Sequence, residues 1–101
     1  MKKFLLLASL LLTFSAQAAP VEDVMNKAGC MACHSKDKKI LGPAFKDIAA
    51  KYKGQDVLAK LMEKVRKGGA GVFGPIPMSP NGADKINEAD LKAAVEFILK
   101  T

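Results

Sequence analysis

Residues 30–34 read Cys30-Met31-Ala32-Cys33-His34, and this stretch holds both cysteines and the sole histidine of a 101-residue chain. Three chemistries use a Cys-x-x-Cys pair. A thioredoxin-like dithiol belongs beside a βαβ pattern, and no segment here alternates with the period of a strand. A structural zinc site takes four protein ligands, and beyond Cys30, Cys33 and His34 the chain offers no further cysteine or histidine. The third chemistry is attachment of c-type haem, for which Cys-x-x-Cys-His is the signature. Two intervening residues let both thiols reach vinyl groups on one side of the ring, and the next residue presents its imidazole to the iron as proximal ligand. Haem attachment employs all three rare residues; the dithiol stays open as its competitor.

The start of the chain, MKKFLLLASLLLTFSAQAAP, has a positive end at Lys2 and Lys3, an apolar run from Phe4 to Phe14, and small residues at Ala16-Gln17-Ala18. That is the layout of a secretory signal peptide cleaved after Ala18. The run is too short and too interrupted, at Ser9 and Thr13, for a bilayer span of about 20 apolar residues. Export places the protein where c-type haem is attached and away from nucleic acid. Removing residues 1–18 from 101 leaves 83, one small domain. The 16 basic residues fall to 14 with the loss of Lys2 and Lys3, against 10 acids, a formal +4. The lysines are dispersed, which describes a solvated surface with a mild field that favours an acidic protein partner; Lys36, Lys38 and Lys39 lie closest to the cysteines.

A domain of this size seldom gains more than about 3–5 kcal/mol from a single apolar core and usually carries a staple. A Cys30–Cys33 disulfide would close almost no loop and add little. A flat apolar macrocycle supplies the missing interior.

Four segments carry helical periodicity, and the class is all-α. Val21, Val24, Met25 and Ala28 form the first, with Glu22 and Asp23 in its first turn and Gly29 at its end. Phe45, Ile48, Ala49 and Tyr52 form a second. Val57, Leu58, Leu61, Met62 and Val65 form the clearest, closed by Lys64, Arg66 and Lys67 and then Gly68-Gly69. In the last, Asn87 is the N-cap, Ile86 and Leu91 make a staple, and Leu91, Ala94, Val95, Ile98 and Leu99 face inward.

Between the last two helices, residues 68–82 read GGAGVFGPIPMSPNG, a long loop that is both stiff and apolar. A second axial ligand has to be a methionine, a lysine or nothing, because His34 is the only histidine. Met25 and Met62 lie on helical apolar faces, where methionine fills cores. Met31 sits between the cysteines, and Met1 leaves with the leader. Met78, flanked by Pro77 and by Pro80 two residues on, is the candidate, since proline lowers the entropy lost on fixing the thioether. Its other reading is an apolar side chain in the loop's own packing, with an open distal site that binds gas.

With CMACH followed by Gly42-Pro43-Ala44 and then GVFGPIPMSPN (71–81), the chain closely resembles the small bacterial class I cytochromes c of the cytochrome c-551/c-552 type over residues 19–101. The resemblance implies the cytochrome c fold, about four short helices around one covalent haem c with its iron. It implies a monomeric periplasmic carrier of single electrons, not an enzyme, serving redox proteins such as respiratory complexes or a terminal reductase, oxidase or peroxidase. No nucleic acid and no lasting membrane insertion are expected.

The same resemblance assigns the thioether links to Cys30 and Cys33 and the axial bonds to His34 and Met78. It has the Pro43 carbonyl accept the outer ring N–H of His34, and it places Asn81 near the methionine sulfur. Met31, Ala32, Ile40, Leu41, Pro75 and Ile76 would surround an exposed haem edge as a docking patch. Two positions depart from many relatives. Phe73 stands where they carry a tryptophan that donates to a propionate, and phenylalanine has no donor. Lys64 replaces an arginine, so a forked contact to the propionate becomes a point-charge contact.

Overall fold

The computed structural model describes residues 9–10 and 20–101; the expected leader, residues 1–18, lies outside the described residues but for Ser9 and Leu10. Four α-helices follow in order: α1 Val21–Ala28, α2 Phe45–Lys51, α3 Leu58–Lys67 and α4 Glu88–Leu99, with a 3-10 turn over Cys30–Ala32 between the first two. Among the described residues there is no strand, only two isolated bridges, His34 with Lys39 and Gly69 with Met78.

Local chemistry sets the helix ends. The Pro20 carbonyl accepts the N–H groups of Asp23 and Val24 at 3.0 and 3.2 Å, which starts α1. Gly29 ends it in the left-handed region at φ +87°, where a residue with a Cβ would be strained. That reversal feeds the chain directly into Cys30. At the far end, the Asn87 side chain accepts the Asp90 N–H at 2.8 Å and donates to the Asp90 carboxylate at 3.1 Å. The cap satisfies one of the donors a helix start leaves unpaired. Ile86 and Leu91 on either side are both buried.

Helix α4 is the hub, packing against each of α1, α2 and α3. Its Leu91, Ala94 and Val95 meet Met25 and Ala28 of α1, Phe45 of α2, and Ile86 in one cluster. Phe45, Met25, Leu91 and Val95 are the largest side chains that solvent does not reach. Met25 is therefore core filler, as its place on a helical face implies, and Met62 packs partly buried against the same cluster.

Helix α3 behaves differently. It has the most regular apolar stripe in the sequence, yet none of its residues is fully buried. Leu58, Leu61, Met62 and Val65 only flank the core. The reason is geometric: Leu61 and Val65 form part of the wall of a cavity.

Truncating the hub tests this arrangement. Leu91→Ala should destabilise the holoprotein by about 2–5 kcal/mol, as buried leucines do, whereas Asn87→Ala should cost about 1 kcal/mol. Urea unfolding followed by circular dichroism measures both.

Candidate haem site

The cavity has a volume of about 400 Å³, within the usual range for a small-ligand or cofactor pocket. Cys30, Cys33 and His34 enter it from the turn after α1, and Pro43 from the segment before α2. Lys64 borders it from α3. Phe73, Ile76, Met78 and Asn81 close it from the long loop, and Leu91, Val95 and Ile98 of α4 line its floor. The nine residues expected to link, ligate or pack on the haem thus border one cavity, though they come from four separate stretches of chain, whereas Met31, Ala32 and Ile40 of the expected docking patch do not line it.

His34 is fixed on three sides. Its Nδ1 donates to the Pro43 carbonyl at 2.7 Å, since a carbonyl can only accept. That leaves Nε2 free as a metal donor and makes the ring more basic. Phe45 stacks on the imidazole, ring centroids 5.4 Å apart and planes inclined by 24°. Gly42 lies against the ring so closely that a Cβ there would come within 2.5 Å of Cε1 and 2.9 Å of Nδ1. The backbone secures the same corner: Gly42 N–H donates to the Cys33 carbonyl at 2.8 Å, and Phe45 N–H to the Ser35 carbonyl at 2.9 Å. Neither Gly42 nor Phe45 was legible as a histidine contact. The only local hint was the Gly-Pro pair itself.

Cys30 and Cys33 are not bonded to each other, and both are partly buried. Burial pushes the Cys30 thiol up, and its backbone hydrogen bond only partly offsets this.

Met78 is held through its backbone. Gly69 N–H donates to the Met78 carbonyl at 2.9 Å, and Met78 N–H returns a bond to the Gly69 carbonyl at 3.0 Å. Gly68, at φ +68°, lets this pair form, because a Cβ there would collide with the Met78 carbonyl oxygen. Asn81 is turned toward the protein. Its side-chain NH2 donates to the Ser79 carbonyl at 3.0 Å and the Val65 carbonyl at 3.4 Å. These bonds brace the loop.

Lys64 is half-buried at the cavity wall. Phe73 is 39% exposed, and the Lys51 ammonium sits 5.7 Å from its ring centroid. Around the mouth, Leu41, Val72 and Ile76 stand out at about half exposure, with Ile40 beside them. Of the lysines near the cysteines, Lys36 is already engaged. It pairs with Glu22 at 2.7 Å and lies 5.4 Å above the Phe97 ring, which ties it to α1 and α4.

Two thiols, an imidazole with a free Nε2 and a thioether border one apolar chamber of cofactor size. This donor set fits a covalently attached haem and suits no bare metal ion, since no cluster of three or more histidine, cysteine or acidic side chains occurs among the described residues. The cytochrome c family model matches residues 18–101. The chain belongs to the cytochrome c family. It is 49% identical to cytochrome c2 of Rubrivivax gelatinosus over 83% of this chain and 99% of that one. It is 46% identical to cytochrome c-551 of Pseudomonas aeruginosa over 98% and 97%. The crystal structure of cytochrome c552 from Nitrosomonas europaea superposes with a TM-score of 0.71 at 44% identity, covering 78% of this chain and 96% of that one. As a class I cytochrome c, the protein is an electron carrier whose cofactor is c-type haem with its iron.

The steric corner at His34 makes a direct prediction for this cytochrome. Gly42→Ala should lower the stability of the holoprotein by about 1–3 kcal/mol, the range for forcing an extra group into a packed site. It should also displace the imidazole-ring proton signals in the NMR spectrum of the reduced protein. A thermal melt and unmoved ring signals equal to wild type would contradict the packing described.

Proposed function

We propose that this cytochrome is a periplasmic carrier of single electrons between respiratory redox proteins, with thioether links at Cys30 and Cys33 and axial bonds from His34 and Met78. The observation that carries the proposal is the meeting of His34 and Met78 at one cavity, His34 held by its ring bond to the Pro43 carbonyl and Met78 by its paired backbone bonds to Gly69. When bound, haem supplies an iron that takes up and releases one electron.

The protein's part is to hold geometry steady. Pro43 fixes the tautomer of His34, Phe45 and Gly42 fix its plane, and the Gly69 bridge sets the backbone of Met78. Ligands that do not move between oxidation states keep the reorganisation small. A soft thioether from Met78 would favour the ferrous form of a bound haem, as would the apolar wall, which disfavours the more positive ferric centre. No second histidine is present to act as an acid or base beside a bound substrate, so a carrier is favoured over an enzyme.

The collar of Leu41, Ile76 and Ile40 presents an apolar face for brief docking, and the lysines beyond it add a mild positive field. Lys38 and Lys39 are better placed than Lys36 to steer an acidic partner, because Lys36 is spent on Glu22 and Phe97. A single protomer suffices for this mode of action.

The absorption spectrum of the reduced protein, with and without carbon monoxide, tests the ligand set. A c-type spectrum indifferent to the gas is expected, and Met78→Ala should render it sensitive. A wild-type Soret band that shifts with carbon monoxide would put an open distal site in place of the carrier. Export is tested separately: the periplasmic protein should have the mass of residues 19–101 plus one haem, and a mass retaining residues 1–18 would refute cleavage after Ala18.

A further inference from the structure

The three basic residues in the last turn of α3 go different ways. Lys67 pairs on the surface with Glu63 at 2.6 Å. Lys64 borders the cavity. Arg66, whose side chain is only 23% exposed, folds across the segment that leaves the Met78 loop. Its Nη1 donates to the Ile86 carbonyl at 2.6 Å and to the Asn81 carbonyl at 3.2 Å. Its Nη2 meets the Glu88 carboxylate at 3.3 Å.

The residue before it works on the same segment. The Val65 carbonyl accepts the Asn81 N–H at 3.0 Å. Consecutive residues of α3 thus hold both backbone polar groups of Asn81, three residues after Met78. On the other side of the methionine, Gly69 holds the Met78 backbone itself. Arg66 does not border the cavity, so whatever it does for the site passes through the loop.

We propose that Arg66 is a positioning residue for the distal ligand: its guanidinium clamps Asn81, Ile86 and Glu88 together, pins the loop exit to α3 and α4, and so keeps the Met78 thioether at the iron. The proposal rests on Met78 ligation as set out above. Charge-assisted bonds to carbonyls are stronger than neutral ones, and a planar fork spans several acceptors where an ammonium offers one point charge. Removing the clamp leaves the Val65 link and the Gly69 bridge, so the fold persists while the loop opens more often.

Imidazole added to the ferric holoprotein reads that opening, because it binds iron only when the thioether departs, and its apparent affinity scales with the open fraction. Arg66→Leu should raise the imidazole affinity about tenfold or more, and Arg66→Lys by a smaller factor, given the strength of hydrogen bonds to charged groups. Lys67→Met, which alters the adjacent surface cation, should stay within about twofold of wild type. Urea unfolding of each variant, run in parallel, separates local from global effects. Imidazole affinities within about twofold of wild type in both Arg66 variants would overturn the clamp even if overall stability fell, because a purely architectural arginine leaves loop opening unchanged. The charge-transfer band of a methionine-ligated ferric haem distinguishes the other failure. If wild type lacks that band, or Met78→Ala retains it, the ligand assignment is wrong and the clamp falls with it.

Discussion

The hydrogen bond from His34 to the Pro43 carbonyl joins the two halves of the haem-binding apparatus. On one side stands the cysteine-bearing turn, which Gly29 swings out of α1; on the other stands the start of α2, whose first residue, Phe45, is among the most buried in the molecule. A 2.7 Å contact to a rigid carbonyl, a stacked phenyl ring and a glycine pressed against the imidazole leave His34 one orientation. Everything that lines the cavity takes its place relative to that ring. The rest of the fold serves to keep α2 where this bond requires it, and α4 does so by packing on α2 as well as on α1 and α3.

The two sides of the site are built on different principles. The proximal side is a short turn stiffened by contacts within about a dozen residues of chain. The distal side is a long loop whose own content of hydrogen bonds is low and whose ends are tied to α3. Glycines at positive φ, at positions 68, 69, 71 and 74, let it bend around the cavity, while prolines at 75, 77 and 80 limit what other shapes it can take. The Met78 loop therefore has fewer local restraints than the cysteine-bearing turn.

Much of this was readable in the sequence because it is local. The five residues from Cys30 to His34, together with the lack of further cysteine, histidine or strand pattern, point to haem, the Asn87 cap and its Ile86–Leu91 staple announce α4, and Gly29 marks the end of α1. Met78 stood out from the other methionines because its neighbours are prolines rather than helix formers. What could not be read is what the fold brings together. Arg66 looked like one more cation complementing a helix terminus, whereas its partners lie 15 to 22 residues away. Lys36 looked free to guide a partner until α1 and α4 supplied Glu22 and Phe97. The stripe on α3 reads as core from its periodicity, yet periodicity records only that a face avoids water. It does not say whether protein or cofactor covers that face.

The dependence of the core on α4 has a consequence for the order of assembly. Helices α1, α2 and α3 meet chiefly through α4, which is the last of them in chain order. A chain emerging from the ribosome therefore cannot close its interior until that helix has followed. The thiols thus precede in the chain the helix that completes the core, an order that lets covalent loading come before final collapse.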